Sequence, residues 1–228
     1  MTTQFLSPPQ LFTPSDLRSR PGLVSAITTL INDAFARSKL RDPEKWGEKP
    51  EKRFTSNDSY LELLGSVGIV AVIYDSSADD AAAGEREESG LSTEGKVVAV
   101  AAAVPWRGGW LKEGAGTEDG WEIKAVAVDG GEKYLRKGLS MRLMAALEEK
   151  LVQRTREEEP AREELTLWIL MAECINGVYW RKRGYREVRR ATYGDGVWGC
   201  LTSFEMVVLR RDVPVRAAER AEGGLVQL

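Results

Sequence analysis

Two strand–helix units in series constrain this chain more than any other feature. The first runs from a largely apolar strand at residues 121–128 (Trp-Glu-Ile-Lys-Ala-Val-Ala-Val) through a polar, glycine-bearing turn at 129–138 into a helix at 139–151. The second runs from a nearly continuous apolar strand at 165–171 into a helix at 174–183, closed by Gly184 where a helix end needs a left-handed residue. A strand that is apolar at almost every position is covered on both faces. The rest of the chain fits around such a sheet. Leu23, Ile27, Leu30, Ile31, Ala34 and Phe35 recur at helical spacing and predict a helix over 23–35, with a shorter one at 59–64. Apolar, largely β-branched runs predict strands at 68–74 and 96–104, and two closing strands follow at 185–193 and 204–209. Residues 39–55, with Pro43, Trp46, Gly47 and Pro50, read as a loop, and 154–164 as a charged connector.

A chain of 228 residues can bury one substantial core, so a single domain over residues 22–211 is expected. Residues 1–21, rich in Pro, Ser and Thr, read as a flexible extension, and 212–228 as a polar tail. Residues 76–94 are acidic, small and poor in apolar side chains, the composition of a disordered insert. The glycine-rich stretch 107–120 reads as an exposed loop.

Composition removes whole classes of chemistry. Histidine is absent, which excludes histidine-based triads and imidazole acid–base catalysis. Any proton transfer falls to a carboxylate, tyrosine, cysteine, lysine or water. No metal site is expected, and two cysteines, Cys174 and Cys200, make no disulfide scaffold. Cys174 reads as a small buried residue. The net charge of -3 gives no global reason for a nucleic-acid partner. No apolar run reaches the roughly 18 residues of a membrane span, and the N-terminus has no signal-peptide pattern, so a cytoplasmic protein, or a nuclear one, is expected.

The turn before residue 139 carries the functional signal. A strand, a tight turn and a helix N-terminus form a receptor for phosphates, because the first-turn amides are unpaired and the helix dipole favours anions. Arg136, Lys137 and Arg142 cluster where such a ligand would sit. The turn has neither the spacing of a dinucleotide loop nor that of a nucleotide-triphosphate loop.

From about residue 23 to 210, the order of elements resembles the GNAT superfamily of acyl-CoA-dependent N-acyltransferases. That resemblance implies an α/β (α+β) fold: a central mixed sheet of about six to seven strands, splayed between strands 4 and 5, with helices on both faces. It implies acetyl-CoA as co-substrate, its pyrophosphate held by the turn Leu135, Arg136, Lys137, Gly138, Leu139 and Ser140. Gly138 and the small Ser140 fit the family pattern, whereas Leu135 stands where a polar or basic residue is usual. The backbone of Ala127 and Val128 would lie along the thioester arm, with Asn176 and Trp180 beside it on the next helix. Trp180 stands where many members carry a general-acid tyrosine, and Tyr179 is the nearest hydroxyl, about 100° around the helix.

Glu122 opens an otherwise mostly apolar strand, and in parts of the family a glutamate here is the general base. Strand alternation groups Glu122, Lys124, Val126 and Val128 on one face, and pairing with Lys124 would lower the basicity of Glu122. Trp106, Trp110, Trp121 and Trp198 are candidates for an acceptor pocket, and Asp195 near the last strand would favour a cationic amine. The activity implied is transfer of an acetyl or short acyl group to an amine, on a small molecule or a peptide, by a monomer or homodimer. The alternatives are an acyl-CoA-binding protein without turnover and an interaction protein whose contact arm is the acidic insert.

Overall fold

A computed structural model describes residues 6–79 and 95–216. Most of the expected insert at 76–94 and the end of the expected tail lie outside the described residues. Seven strands form one sheet: β1 (Gln10–Phe12), β2 (Ile69–Asp75), β3 (Lys96–Pro105), β4 (Trp121–Val128), β5 (Glu164–Ala172), β6 (Arg186–Tyr193) and β7 (Phe204–Pro214), in the spatial order β1-β2-β3-β4-β5-β7-β6. All neighbours are antiparallel except β4 and β5. Parallel neighbours need a crossover, and here it is the helix α5 (Leu139–Glu158). The other helices are α1 (Pro14–Arg18), α2 (Pro21–Lys39), α3 (Pro43–Trp46), α4 (Asn57–Leu64) and α6 (Glu173–Arg181).

The core has two layers because the central strands are apolar on both faces. On β3, Ala99, Ala101 and Ala103 pack toward α5, while Val100, Ala102 and Val104 pack toward α2. The small alanines let both helices approach the sheet closely. Leu23, Val24, Ile27, Leu30 and Ile31 of α2 cover one face, and Leu139, Leu143, Leu147 and Leu151 of α5 cover the other.

Several boundaries differ from the sequence reading, β7 running to Pro214 into the expected tail and α2 to Lys39 into the expected loop. Part of the expected N-terminal extension is built into the fold: β1 pairs with β2, and Thr13 and Asp16 close a capping box on α1. In the stretch read as a loop, α3 forms a single turn, capped by the side chain of Asp42 accepting from the Lys45 amide. The expected charged connector begins inside α5, which continues to Glu158 on a surface of charged side chains, Arg154 pairing with Glu158 at 2.8 Å.

Candidate active site

The sheet opens where β4 and β5 part. They are paired only at Trp121–Leu167 and Glu122–Trp168, yet β4 continues to Val128 and β5 to Ala172. The unpaired stretch of β4 covers six residues (123–128), so the cleft is about 20 Å long at the usual rise of a strand.

A bulge in β4 sets what faces this cleft. Opposite Val100–Ala102 of β3, β4 spends one extra residue, and Ala125 takes φ 51°. A left-handed alanine costs about 1–2 kcal/mol. Bulges are common beside functional sites because they re-aim side chains. The bulge corrects the simple alternation. Ala125 and Ala127 face α2, whereas Val126 and Val128 pack toward α5 and no longer share a face with Glu122 and Lys124.

At the mouth of the cleft stands the N-terminus of α5. Gly138 is its N-cap, with φ 72° and ψ 13°, and no side chain caps this end. A Cβ built on Gly138 would meet nothing within 4 Å, so the amides of this first turn look onto open space. Arg136, also left-handed at φ 60°, precedes it. Arg136 and Lys137 are exposed, and among the described residues neither engages in a hydrogen bond or ion pair. Arg142 is different: its guanidinium donates to the Ser7 carbonyl at 2.7 Å, so it ties down the N-terminal segment. Leu135 is 39% exposed on the same turn.

The turn itself is held from below. Asp75, fully buried at the end of β2, accepts from the Tyr134 hydroxyl at 2.7 Å, from Lys133 at 3.0 Å, and from the Ser77 amide and hydroxyl. Burial alone would raise its pKa, but these hydrogen bonds outweigh burial and bring it down to about 2. Asp129 adds a second anchor, accepting from the Gly131 amide and pairing with Lys96 at 2.7 Å.

Glu122 sits at the closed end of the cleft, in register with Trp168, and is only 6% exposed. Lys124 pairs with it at 2.7 Å, as the sequence suggested. The consequence is the reverse of the expected one. Burial dominates and raises the Glu122 pKa, with Lys124 and Arg53 only partly offsetting it. A carboxylate pushed up in this way is a better base near neutral pH.

On α6 the residues separate. Trp180 is buried in the core, edge-on to Tyr179 and Tyr185, and serves packing. Tyr179 is half-buried, and its hydroxyl lies 2.7 Å from the Ser140 hydroxyl on the first turn of α5. The structure thus brings Tyr179, rather than Trp180, to the N-terminus of α5. Asn176, one turn earlier, is exposed, as is Cys174, which corrects its expected burial.

The four tryptophans also divide. Trp106 stacks on Trp168 at 4.8 Å and donates to Glu118, pinning the loop 107–120, and Trp121 packs against the core. Trp110 and Trp198 meet edge-to-face at 5.7 Å, and Trp110 also meets Tyr193. Trp110 and Tyr193, with Leu170, Met206 and Val208, line a cavity of about 330 Å³ on the Trp168 face of the sheet. Trp198 is left-handed, φ 55°, and its carbonyl accepts from Lys39. Asp195 is exposed.

Three residues near this face escaped the sequence reading. Arg37 of α2 donates to the Val128 carbonyl at 2.7 Å, Lys39 reaches Trp198, and Arg53 lies among Phe35, Phe54 and Trp198. Charged residues in a polar segment carry no mark of the face they will turn to, so only the fold reveals them.

No protein-family model and no curated protein matches this sequence. Solved structures do align with it. The apo form of an agmatine N-acetyltransferase mutant aligns at 13% identity over 91% of this chain and 100% of that one, with a TM-score of 0.51. An acyl-CoA N-acyltransferase from Pseudomonas aeruginosa aligns at 14% identity over 91% and 99%, with a TM-score of 0.49. The likeness to the first is one of architecture. With its mixed sheet, one parallel pair (β4–β5) among the described residues and helices on both faces, the chain has a GNAT-like α/β fold.

Proposed function

We propose that this protein transfers an acyl group, acetyl in the first instance, from a CoA thioester directly to an amine. The observation that carries the reading is the parting of β4 and β5 beside the uncapped N-terminus of α5, with buried Glu122 where the strands rejoin. The residues present fit the co-substrate: an open glycine cradle for the diphosphate and a strand-width gap for the pantetheine arm.

In this reading the amides of Gly138–Ser140 hold the diphosphate, and Arg136 and Lys137 add positive charge. Ala127 and Val128 present backbone to the arm. The bound thioester supplies an electrophilic carbonyl. Glu122, directly or through one water, takes the proton from the amine as its nitrogen attacks that carbonyl. The C–N bond forms, the C–S bond breaks, and the departing thiolate takes a proton from water, while the Tyr179 hydroxyl, against Ser140, stands at the diphosphate end.

Acetyl-CoA should raise the melting temperature, and the protein should release CoA thiol in the presence of an accepted amine. Glu122→Gln should keep the acetyl-CoA stabilisation and lower kcat by about 10²–10⁴. Equal turnover in that variant would remove Glu122 from the mechanism. Acetyl-CoA binding without turnover on any amine would make the protein a binding module instead.

A further inference from the structure

The acceptor face is more basic than the sequence suggested. Several cations approach it: Arg37, Lys39, Arg53 and Lys124, with Arg189 and Arg190 along the cavity; Arg37 is committed to the Val128 carbonyl, Arg189 to Glu118 and Arg190 to Glu187. Lys39 is committed to the Trp198 carbonyl, and Lys124 to Glu122 at 2.7 Å. Arg53 is not committed. Among the described residues its guanidinium makes no hydrogen bond and no ion pair. It lies 5.2 Å from the ring centre of Phe35, 5.9 Å from Phe54 and 6.0 Å from Trp198. Burial depresses its pKa, and the charge of Glu122 partly offsets this. The residue nevertheless keeps part of its surface accessible.

A guanidinium has five donors and costs free energy when drawn from water without acceptors. Three aromatic rings return part of that cost but satisfy no donor. Phe35 comes from α2, Phe54 from the segment before α4, and Trp198 from the β6–β7 loop in a left-handed conformation. Rings from α2 and the β6–β7 loop, with the neighbouring Phe54, thus frame one solvent-reaching guanidinium whose charge acts on Glu122. Such a fork matches a carboxylate.

Resting on the acyl-transfer reading for its reaction, we infer that the acceptor is an amine that also carries a carboxylate, an amino acid, whose carboxylate seats on Arg53 while its amine faces Glu122. The cavity, apolar at Trp110, Leu170, Tyr193 and Met206 and rimmed by Glu113, Arg189 and Arg190, then offers room for the side chain. The amine nitrogen forms the new C–N bond to the acyl carbon, the C–S bond breaks, the amine proton goes to Glu122, and the sulfur leaves as a thiolate that takes a proton from water. Polyamines, which lack a carboxylate, would leave Arg53 unsatisfied and bring positive charge to it.

The test is a binding measurement that does not need turnover. With CoA saturating, L-phenylalanine and L-leucine should raise the melting temperature. L-phenylalaninamide, L-leucinamide and phenethylamine should need about 10- to 100-fold higher concentration for the same rise. Arg53→Met and Arg53→Gln should abolish the difference between acid and amide while retaining stabilisation by acetyl-CoA. Acids and amides binding the wild-type protein equally, acids failing to bind at all, or discrimination surviving in both variants would overturn the assignment. Acid-selective binding with no thiol release from acetyl-CoA would instead refute the transferase reading and leave the carboxylate site standing.

Discussion

Replacing Tyr134 by phenylalanine removes one donor from a fully buried carboxylate, together with the hydroxyl's contact with Lys133. Asp75 has four donors, from the Ser77 amide and hydroxyl, Lys133 and Tyr134, and the Tyr134 bond at 2.7 Å comes from a buried side chain. A hydrogen bond to a charged group contributes about 1.5–3 kcal/mol. Because three donors remain, the lower end applies, about 1.5–2 kcal/mol. For a chain of this size, that is a fall in melting temperature of about 3–8 °C. Tyr134 lies inside the turn that ends at Gly138, so acetyl-CoA should also bind more weakly. Acid should affect the variant less. The folded-state pKa of Asp75 is about 2 against an ordinary 3.8, so its ionisation contributes stability that is complete above the unfolded value and lost as pH falls toward 2. With one donor gone, the folded value moves back up and the contribution shrinks. Thermal melts from pH 7 down to pH 2.5, paired with calorimetric titration of acetyl-CoA at pH 7, measure both effects. An unchanged melting temperature and an unchanged dissociation constant would refute the argument that this latch shapes the turn.

Other outcomes follow from the same geometry. Lys124→Met removes one of the two charges that hold down the Glu122 pKa. The acidic limb of the kcat/KM profile, which rises as Glu122 ionises, should therefore move to higher pH, and a shift to lower pH would contradict the base assignment. Gly138→Ala places a Cβ in open space at φ 72°, so its cost is conformational, about 1–2 kcal/mol. It should lower both the melting temperature and acetyl-CoA affinity, while Gly138→Asn should be milder on stability. Tyr179→Phe breaks the 2.7 Å contact with Ser140 in the turn assigned to the diphosphate and should raise the acetyl-CoA KM more than it lowers kcat, as steady-state kinetics would show.

Much of the fold is legible because burial leaves periodic marks. Strand 165–171 is apolar on both faces because helices and loops cover both, and its neighbour at 121–128 leads into a glycine-capped helix that must cross over. What escaped has no such mark. The three-residue β1 is too short for a pattern and is held by its register with β2. The last turns of α5 are charged because they face solvent, and so read like a connector. The bulge at Ala125 has no glycine or asparagine to announce its left-handed backbone, so the faces of Val126 and Val128 could not be assigned from alternation. Within the site, Glu122 and Gly138 stood out because each breaks the character of its surroundings. Arg53 stood in a polar segment and became visible only when Phe35 and Trp198, from distant positions, closed around it beside its neighbour Phe54.

Hydrogen–deuterium exchange with and without acetyl-CoA examines the cleft itself. The amides of residues 123–128 and of the first turn of α5 should slow together on adding the ligand, while those of β1 and β2 stay unchanged. Ligand binding that leaves both segments exchanging at their original rates would mean that the gap between β4 and β5 holds no thioester arm.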